Sequence, residues 1–200
     1  AEVLDKWFGR TVIHSDRRFT YEEAQQIIET GKGDFAEEVL TLNRLAQRMR
    51  KTRFKHGAVS FQREEAKFKL DAEGKPLSVY FKEQKEANQL IEEFMLLANK
   101  QVAEFCGHHK VNGRAVRRTM VYRVHDVPNE EKLEKFRTFV LRFGYVFKAD
   151  KGRAVAKEMN KLFQKVKGRP EENVVTTLAV RSMAKAYYTT DNIGHYGLAF

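Results

Sequence analysis

The sequence has almost no cysteine and no long hydrophobic run. Its single cysteine, Cys106, excludes an internal disulfide. No apolar stretch approaches the roughly 20 residues of a membrane span, and none has the pattern of a signal peptide. We therefore expect a folded chain without membrane association, and a cytoplasmic location is the default.

Clusters of acidic residues and common catalytic motifs are also missing. Each of the seven aspartates stands apart from the others, and many of the glutamates form doublets that are typical of helix surfaces. This pattern offers no constellation for the two metals of phosphodiester hydrolysis. There is no GxSxG elbow, no phosphate-cradling P-loop and no GxGxxG motif. The adjacent pair His108 and His109 lacks a third ligand at the usual spacing, which favours a solvated loop over a metal site.

Basic residues are in clear excess over acidic ones. The chain has 37 lysines and arginines against 27 aspartates and glutamates, so its net charge is +10. Such a field attracts anionic partners, of which nucleic acid is the commonest. Acidic lipid, or a simple benefit to solubility, would produce a similar balance.

The apolar pattern of residues 86–106 predicts a long, nearly buried helix around which the rest of the fold is organised. Glu93 falls on the narrow outward strip and is predicted to be a surface carboxylate. Glu92 points roughly 100° away, onto a flank that it shares with Asn88 and Asn99. It is either an acceptor that faces a ligand or a half-exposed glutamate at the edge of the stripe. The predicted buried stripe is Ala87, Leu90, Ile91, Phe94, Met95, Ala98, Val102 and Phe105.

Two elements are predicted before the first glycines. Alternation between residues 10 and 14 suggests a strand. Thr20, with Glu23 three residues later, is typical of a capping box and predicts the start of a helix. Tyr21 falls in the first turn of this helix. It is either a partly exposed helix former or a residue that presents its hydroxyl and ring to a docked ligand.

A second helix is predicted from Asp34, after a break at Gly31 and Gly33. A basic run covers its last turns, where positive charge either complements the helix dipole or follows a phosphate backbone. Its members are Arg44, Arg48, Arg50, Lys51, Arg53 and Lys55. The residues predicted to face inward are Phe35, Val39, Leu42, Leu45, Ala46 and Met49.

Residues 57–82 alternate with a period of two, which predicts a three-stranded antiparallel meander. Phe61 stands where the first strand ends, so it is either a core residue or a stacking platform beyond the sheet edge. Further helices are predicted around Leu133, Met159 and residues 174–187. The fold class is therefore α+β, with an antiparallel β-meander packed against a long central helix and several further helices.

Several phrases resemble the catalytic RNB domain of the ribonuclease II and ribonuclease R family, most closely a bacterial ribonuclease R. They occur in family order over essentially the whole chain. The phrases are WFGRTVIHSDRRFTYEEAQ from Trp7, LIEEFMLLAN from Leu90, VYRVHD from Val121, KGRPEE from Lys167, RSM from Arg181 and GHYGLAF from Gly194.

The resemblance implies a hydrolytic exonuclease that removes nucleotides from the 3′ end of single-stranded RNA and uses magnesium bound by an aspartate cluster. The cluster is expected before Ala1, and the family's arginine segment is expected soon after Phe200. Residues 1–200 are thus expected to be the central part of the domain, inactive alone and without bound magnesium. A non-enzymatic RNA-binding module or adaptor is the alternative. We expect no stable protein partner.

The resemblance also assigns roles to three residues. Tyr21 matches a tyrosine that contacts RNA near the reacting end, and Glu92 matches a glutamate that helps to recognise ribose. Phe61 matches an aromatic residue that stacks on bases near the 3′ end. His195 lies in a family motif, and we expect it to support the arginine segment structurally.

Overall fold

The computed structural model of the chain describes residues 3–60, 65–82, 84–107, 110–111, 114–115, 119–149 and 152–200. The chain forms two compact units, one from Ala1–Lys51 and Gln62–Leu97, the other from Thr52–Phe61 and Ala98–Phe200. The mixture of helices with separate antiparallel strand pairs confirms the predicted α+β class.

The described helices and strands have the following bounds. The α-helices are α1 (Tyr21–Thr30), α2 (Ala36–Lys55), α3 (Glu86–Gly107), α4 (Glu130–Leu141), α5 (Arg153–Val166) and α6 (Glu172–Ser182). The strands are β1 (Glu65–Leu70), β2 (Pro76–Lys82), β3 (Lys110–Val111), β4 (Arg114–Ala115), β5 (Tyr122–Val124) and β6 (Tyr187–Thr189), and a short 3-10 helix spans Tyr196–Leu198. Within these ranges, no helix is both long and apolar enough to cross a membrane.

Helix α1 begins where the capping pattern predicts. The Thr20 hydroxyl accepts a hydrogen bond from the Glu23 backbone N–H at 3.1 Å, and the Glu23 carboxylate accepts one from the Thr20 N–H at 2.7 Å. These reciprocal bonds satisfy backbone donors that a helix start otherwise leaves without partners. The helix ends at Thr30 and is followed by Gly31, whose φ of +68° is left-handed and favours glycine. Tyr21 is therefore the first helical residue, as predicted.

The strand predicted between residues 10 and 14 is not formed. Residues 3–19 contain neither strand nor helix, and Val12 and Ile13 are exposed. A strand needs a neighbouring strand to satisfy its backbone groups, and no described strand pairs with this segment. Alternation in the sequence describes the two faces of a strand without showing that a partner exists.

Helix α2 buries a stripe that differs in phase from the prediction. Val39 and Ala46 are buried as predicted, and Asn43 lies between them on the same stripe. The spacing of four and then three residues keeps all three on one face. Because a polar residue occupies this face, a prediction that considers only apolar residues assigns the buried stripe to the wrong side of the helix. Three residues predicted to face inward are exposed: Phe35, Leu42 and Leu45.

The first half of helix α3 shows the same kind of rotation. Its buried residues are Ala87, Leu90 and Glu93, which follow one another at intervals of three. The prediction was correct for Ala87 and Leu90. It was wrong for Ile91, for Met95 and, in the second half, for Ala98, all of which are exposed. The stripe is rotated because a charged residue takes a place on the buried face.

Strands β1 and β2 form an antiparallel hairpin in which Phe68 lies opposite Val79. The predicted pairing of the last two strands is therefore correct, but the predicted third strand is not found in the described residues. Residues 57–60 bond to a helix and a loop instead: Asn160 donates to the Ala58 carbonyl at 2.8 Å, and Val59 donates to the Gly197 carbonyl at 3.0 Å. Residues 61–64, which follow this segment, lie outside the described residues.

Helices α4, α5 and α6 supply most of the core of the second unit. Asn129 caps α4 by accepting a hydrogen bond from the Lys132 N–H at 3.0 Å. Strand β5 pairs with β6, so the helix predicted over residues 174–187 ends earlier, at Ser182. The buried core includes the predicted residues Leu133, Phe136, Val140, Val155, Met159, Leu162 and Val166.

Candidate nucleic-acid interface

A groove of about 650 Å³ lies at the start of helix α1 in the first unit. Tyr21 lines it and is partly exposed there. The walls come from α2, from α3 and from the segment that leads into α1. The lining residues are Ser15, Asp16, Arg17, Phe19, Thr20, Tyr21, Ala24, Phe35, Glu38, Val39, Leu42, Ala87, Leu90 and Ile91.

Arg17 fixes the segment that leads into this groove. Its guanidinium pairs with the Glu23 carboxylate at 3.0 Å and with the Asp34 carboxylate at 3.4 Å, and it also lies 5.0 Å from the Phe19 ring centroid. The pKa of Glu23 is lowered, chiefly by the hydrogen bond from the Thr20 backbone and then by the Thr20 hydroxyl and Arg17. The groove therefore has a capped helix start and a neutralised arginine at its rim.

Helix α3 is tied to α1 directly beside the groove. The buried N–H of Ala87 donates to the Gln25 side chain at 3.0 Å. Ile91, one turn further along α3, lines the groove with Tyr21. Glu92 follows Ile91 in the chain but is not among the residues that line the groove, so of the predicted RNA contacts only Tyr21 is placed there. Phe61, the third predicted contact, lies outside the described residues.

Glu92 is half-exposed, and an arginine of α2 lies next to it. The Nη1 atom of Arg50 is 3.8 Å from the Oε2 atom of Glu92. The side chain of Glu92 is 41% exposed, so its carboxylate remains accessible to solvent. This location is compatible with both alternatives that the sequence left open, a ligand acceptor and a residue at the edge of the buried stripe.

The expectation that Glu93 is a surface carboxylate was wrong. Its side chain is only 3% exposed, and its Oε1 atom lies 3.4 Å from the Nη1 atom of Arg50. A buried carboxylate is costly without a charged or hydrogen-bonding partner, and Arg50 provides one. The same nitrogen of Arg50 therefore approaches both Glu92 and Glu93.

The basic run at the end of α2 does not form a uniform stripe. Arg50 is engaged with the two glutamates, and Arg53 is buried with its guanidinium 5.2 Å from the Phe54 ring centroid. Arg44 is exposed and donates to the Thr41 hydroxyl at 2.9 Å. Only part of the run is thus placed to follow a phosphate backbone.

In the second unit, residues 194–200 form a tightly bonded loop that contains His195. The N–H of His195 donates to the Phe200 carbonyl at 3.1 Å, which closes the loop on itself. The N–H of Tyr196 donates to the His125 carbonyl at 2.8 Å, and the Tyr196 hydroxyl donates to the Gly152 carbonyl at 3.0 Å. The loop is therefore anchored at the end of β5 and at the start of α5.

The His195 ring packs edge-on against the ring of His125, with centroids 5.0 Å apart. Both ring nitrogens of His195 are buried without a hydrogen-bond partner. Burial, followed by the proximity of His125 and Arg123, lowers the pKa of His195 to about 4. His195 is therefore a neutral packing residue at ordinary pH, which agrees with a structural role.

The described residues do not fit a magnesium site. Within the described ranges, no three side chains of the types His, Cys, Asp or Glu come close enough together to hold a metal ion. His108 and His109 lie outside the described residues.

The comparison with protein families decides the assignment. The RNB domain family matches the chain over residues 1–200. The chain belongs to the RNB domain family. The resemblance to ribonuclease R that the sequence phrases suggested is thereby confirmed.

Named relatives of this RNB chain occur in eukaryotes and bacteria. It is 35% identical to the DIS3-like exonuclease 2 of Schizosaccharomyces pombe, covering 100% of this chain and 23% of that protein. It is 33% identical to the ribonuclease R of Aquifex aeolicus, covering 94% of this chain and 26% of that protein. An Arabidopsis thaliana relative named inactive exonuclease DIS3L2 is 30% identical, covering 100% of this chain and 21% of that protein. The chain thus spans about a quarter of the length of these relatives.

Solved structures agree on the fold. Mycoplasma genitalium ribonuclease R in complex with ribose methylated single-stranded RNA matches with a TM-score of 0.74 at 19% identity, covering 91% of the RNB chain and 28% of that chain. The yeast pseudonuclease Ssd1 matches with a TM-score of 0.58 at 18% identity, covering 91% and 22%. At these identities, the likeness supports the fold alone.

The sequence reasoning missed the pairing of Arg50 with the two glutamates of this RNB chain. A signal for it was present, because Arg50 continues the spacing of Val39, Asn43 and Ala46 by a further four residues. That spacing places an arginine on the buried face of α2. The Arg50 side chain is only 19% exposed, and Glu93 on the facing stripe supplies an acidic partner for it.

Proposed function

We propose that this RNB chain is the central, RNA-holding part of the catalytic domain of a hydrolytic 3′-to-5′ exoribonuclease that degrades single-stranded RNA. The observation that carries the proposal is the groove lined by Tyr21 at the start of α1. The accessible Glu92 side chain lies on α3, the helix that contributes Ile91 to the groove wall. The ribonuclease R relatives support the reaction class.

In this proposal, Tyr21 and Glu92 recognise the ribose near the 3′ end. The 2′-hydroxyl of RNA is both a donor and an acceptor, and a carboxylate is a strong acceptor for it. Glu92 is accessible enough for such a contact. Phe61 stacks on bases, and stacking tolerates every base, which suits an enzyme that degrades RNA of any sequence.

Hydrolysis in this proposal uses magnesium held by an aspartate cluster that the present 200 residues do not contain. No residue of the chain is assigned a catalytic role, and the isolated chain is expected to hold RNA without cutting it. His195 and its loop support the arginine segment that the family resemblance places nearby. We also propose a cytoplasmic site of action.

A second candidate function is an RNA-binding module without nuclease activity. The observation that favours it is the Arabidopsis relative named an inactive exonuclease. This alternative uses the same RNA-contacting residues but needs no metal.

The proposal can be tested with the longer protein that carries the chain and with the isolated 200 residues. A single-stranded RNA labelled at its 5′ end is incubated with each, with and without magnesium, beside a DNA oligonucleotide of the same sequence. We expect the longer protein to shorten the RNA from its 3′ end only with magnesium, and the isolated chain to leave it intact. Magnesium-dependent cleavage by the isolated chain contradicts the proposal that these 200 residues hold RNA without cutting it. RNA binding by the longer protein without cleavage favours the binding module.

A further inference from the structure

One nitrogen of Arg50 lies between two carboxylates that are consecutive on α3. Its Nη1 atom is 3.4 Å from Oε1 of Glu93 and 3.8 Å from Oε2 of Glu92. Consecutive helical residues point about 100° apart, so a single group reaches both only when it lies between the two directions. The Arg50 side chain itself is 19% exposed.

The two glutamates differ strongly in burial, and this difference gives each ion pair its role. Glu93 is almost completely buried, and the nearby Arg50 guanidinium compensates the cost of burying its carboxylate. This requirement fixes the guanidinium in place. Glu92 is largely accessible, and an exposed ion pair adds little stability. The Arg50–Glu92 contact at 3.8 Å therefore adds little to stability, but its charge attraction favours one direction of the Glu92 carboxylate over others.

We infer that Arg50 is a positioning residue that Glu93 anchors and that orients Glu92 for the ribose 2′-hydroxyl. The inference rests on the proposed function, because it takes Glu92 as the ribose acceptor. A carboxylate has two oxygens and about four acceptor positions, and the Glu92 side chain is 41% exposed, so a hydroxyl donor can reach it in addition to Arg50. A flexible glutamate that is held in one direction loses less freedom on binding RNA.

The inference predicts a change in the preference for RNA over DNA, not in affinity alone. The experiment uses the longer protein that carries the chain and measures dissociation constants for an RNA and a DNA oligonucleotide of one sequence by fluorescence anisotropy, without magnesium. Glu92→Ala should lower the RNA preference about ten-fold, the equivalent of one hydrogen bond to a charged group. Arg50→Lys, which keeps the charge but loses the planar fork, should lower it partially.

A paired variant separates positioning from folding. Arg50→Met combined with Glu93→Leu removes the buried ion pair without leaving a single buried charge. It should lower the preference for RNA over DNA several-fold. In a protein that already carries Glu92→Ala, it should cause no further loss of that preference. Arg44→Met is the matched control on the same helix. It should weaken RNA and DNA binding equally, if at all, and leave their ratio unchanged.

The outcomes distinguish the inference from the function on which it rests. An unchanged RNA preference in Glu92→Ala refutes the proposed ribose contact. The positioning role is refuted if Glu92→Ala lowers the RNA preference but the paired variant leaves it unchanged. If the paired variant fails to fold, an unchanged RNA preference in Arg50→Lys refutes it in the same way. Equal losses of RNA and DNA affinity in the paired variant would show that Arg50 contacts phosphate instead, which also overturns it.

Discussion

The ring of His125 holds the backbone of Gly197. Its Nδ1 atom accepts a hydrogen bond from the Gly197 N–H at 3.2 Å, while its Nε2–H donates to the Ala184 carbonyl at 2.9 Å. These two bonds require one neutral tautomer, with the proton on Nε2. The loop of residues 194–200 is therefore joined to the end of β5 through a side chain as well as through the backbone.

Gly197→Ala should destabilise the chain by about 1–3 kcal/mol, because overpacking a close contact forces its neighbours apart. A Cβ at this position would lie 2.9 Å from Nδ1 of His125. The free energy of unfolding is measured by urea denaturation. Gly107→Ala is the control, since its Cβ would lie at an ordinary 3.4 Å from the Tyr122 hydroxyl. Equal stabilities of the two variants would contradict the close packing of the loop.

The stability of the second unit should fall as the pH falls, because of His195. Its pKa is lowered from 6.5 to about 4 in the folded chain, so the unfolded chain binds the proton more readily. The contribution to folding is complete above pH 6.5 and is lost progressively as the pH falls to about 4. Urea denaturation of the wild type and of His195→Phe, across this range, measures the difference.

His14→Gln serves as the control for this pH dependence, because His14 is exposed. It should retain the wild-type slope, whereas His195→Phe should flatten it. Parallel curves for the wild type and His195→Phe would show that His195 is not buried as a neutral ring.

Glu93→Ala should destabilise the chain much more than Glu92→Ala. If Glu93 were a surface residue, as the sequence predicts, its replacement would have little effect on stability. Loss of Glu93 leaves Arg50 without its buried partner, for which about 3 kcal/mol is expected. Loss of Glu92 removes only an exposed ion pair and should cost less than about 1 kcal/mol. Thermal and urea denaturation of the two variants give the comparison. A larger effect for Glu92 would place Glu93 on the surface after all.

Phe61→Ala should weaken binding of single-stranded RNA by about 1–3 kcal/mol, the usual contribution of one base stack. The loss should be similar for oligonucleotides of different sequence, since stacking does not read the base. Phe68→Ala is the control, because Phe68 is an exposed phenylalanine of strand β1. If both variants bind RNA as tightly as the wild type, the stacking role of Phe61 is wrong.

Local signals in the sequence predicted local structure well. The Thr20 and Glu23 pair determines the start of α1 by bonds within four residues, and Gly31 ends that helix through its own conformation. The amphipathic pattern of α5 likewise placed Met159 and Val166 in the core. In each case the information lies within one element.

Features that depend on a partner element were predicted poorly. The burial of Glu93 follows from an arginine 43 positions away, which no helical period shows. The segment at Ala58 bonds to the Asn160 side chain instead of a strand. For the candidate contacts, the sequence pattern left Tyr21 and Glu92 open, and only the family resemblance assigned them roles.

The buried ion pair of α2 and α3 also constrains how the chain can evolve. A substitution at position 50 or position 93 alone leaves the other charge without this partner inside the protein. Replacement of both residues by apolar ones is often tolerated. Orthologous chains should therefore carry either Arg at position 50 with Glu at position 93 or apolar residues at both positions. This covariation would identify the lineages in which an arginine still lies beside Glu92.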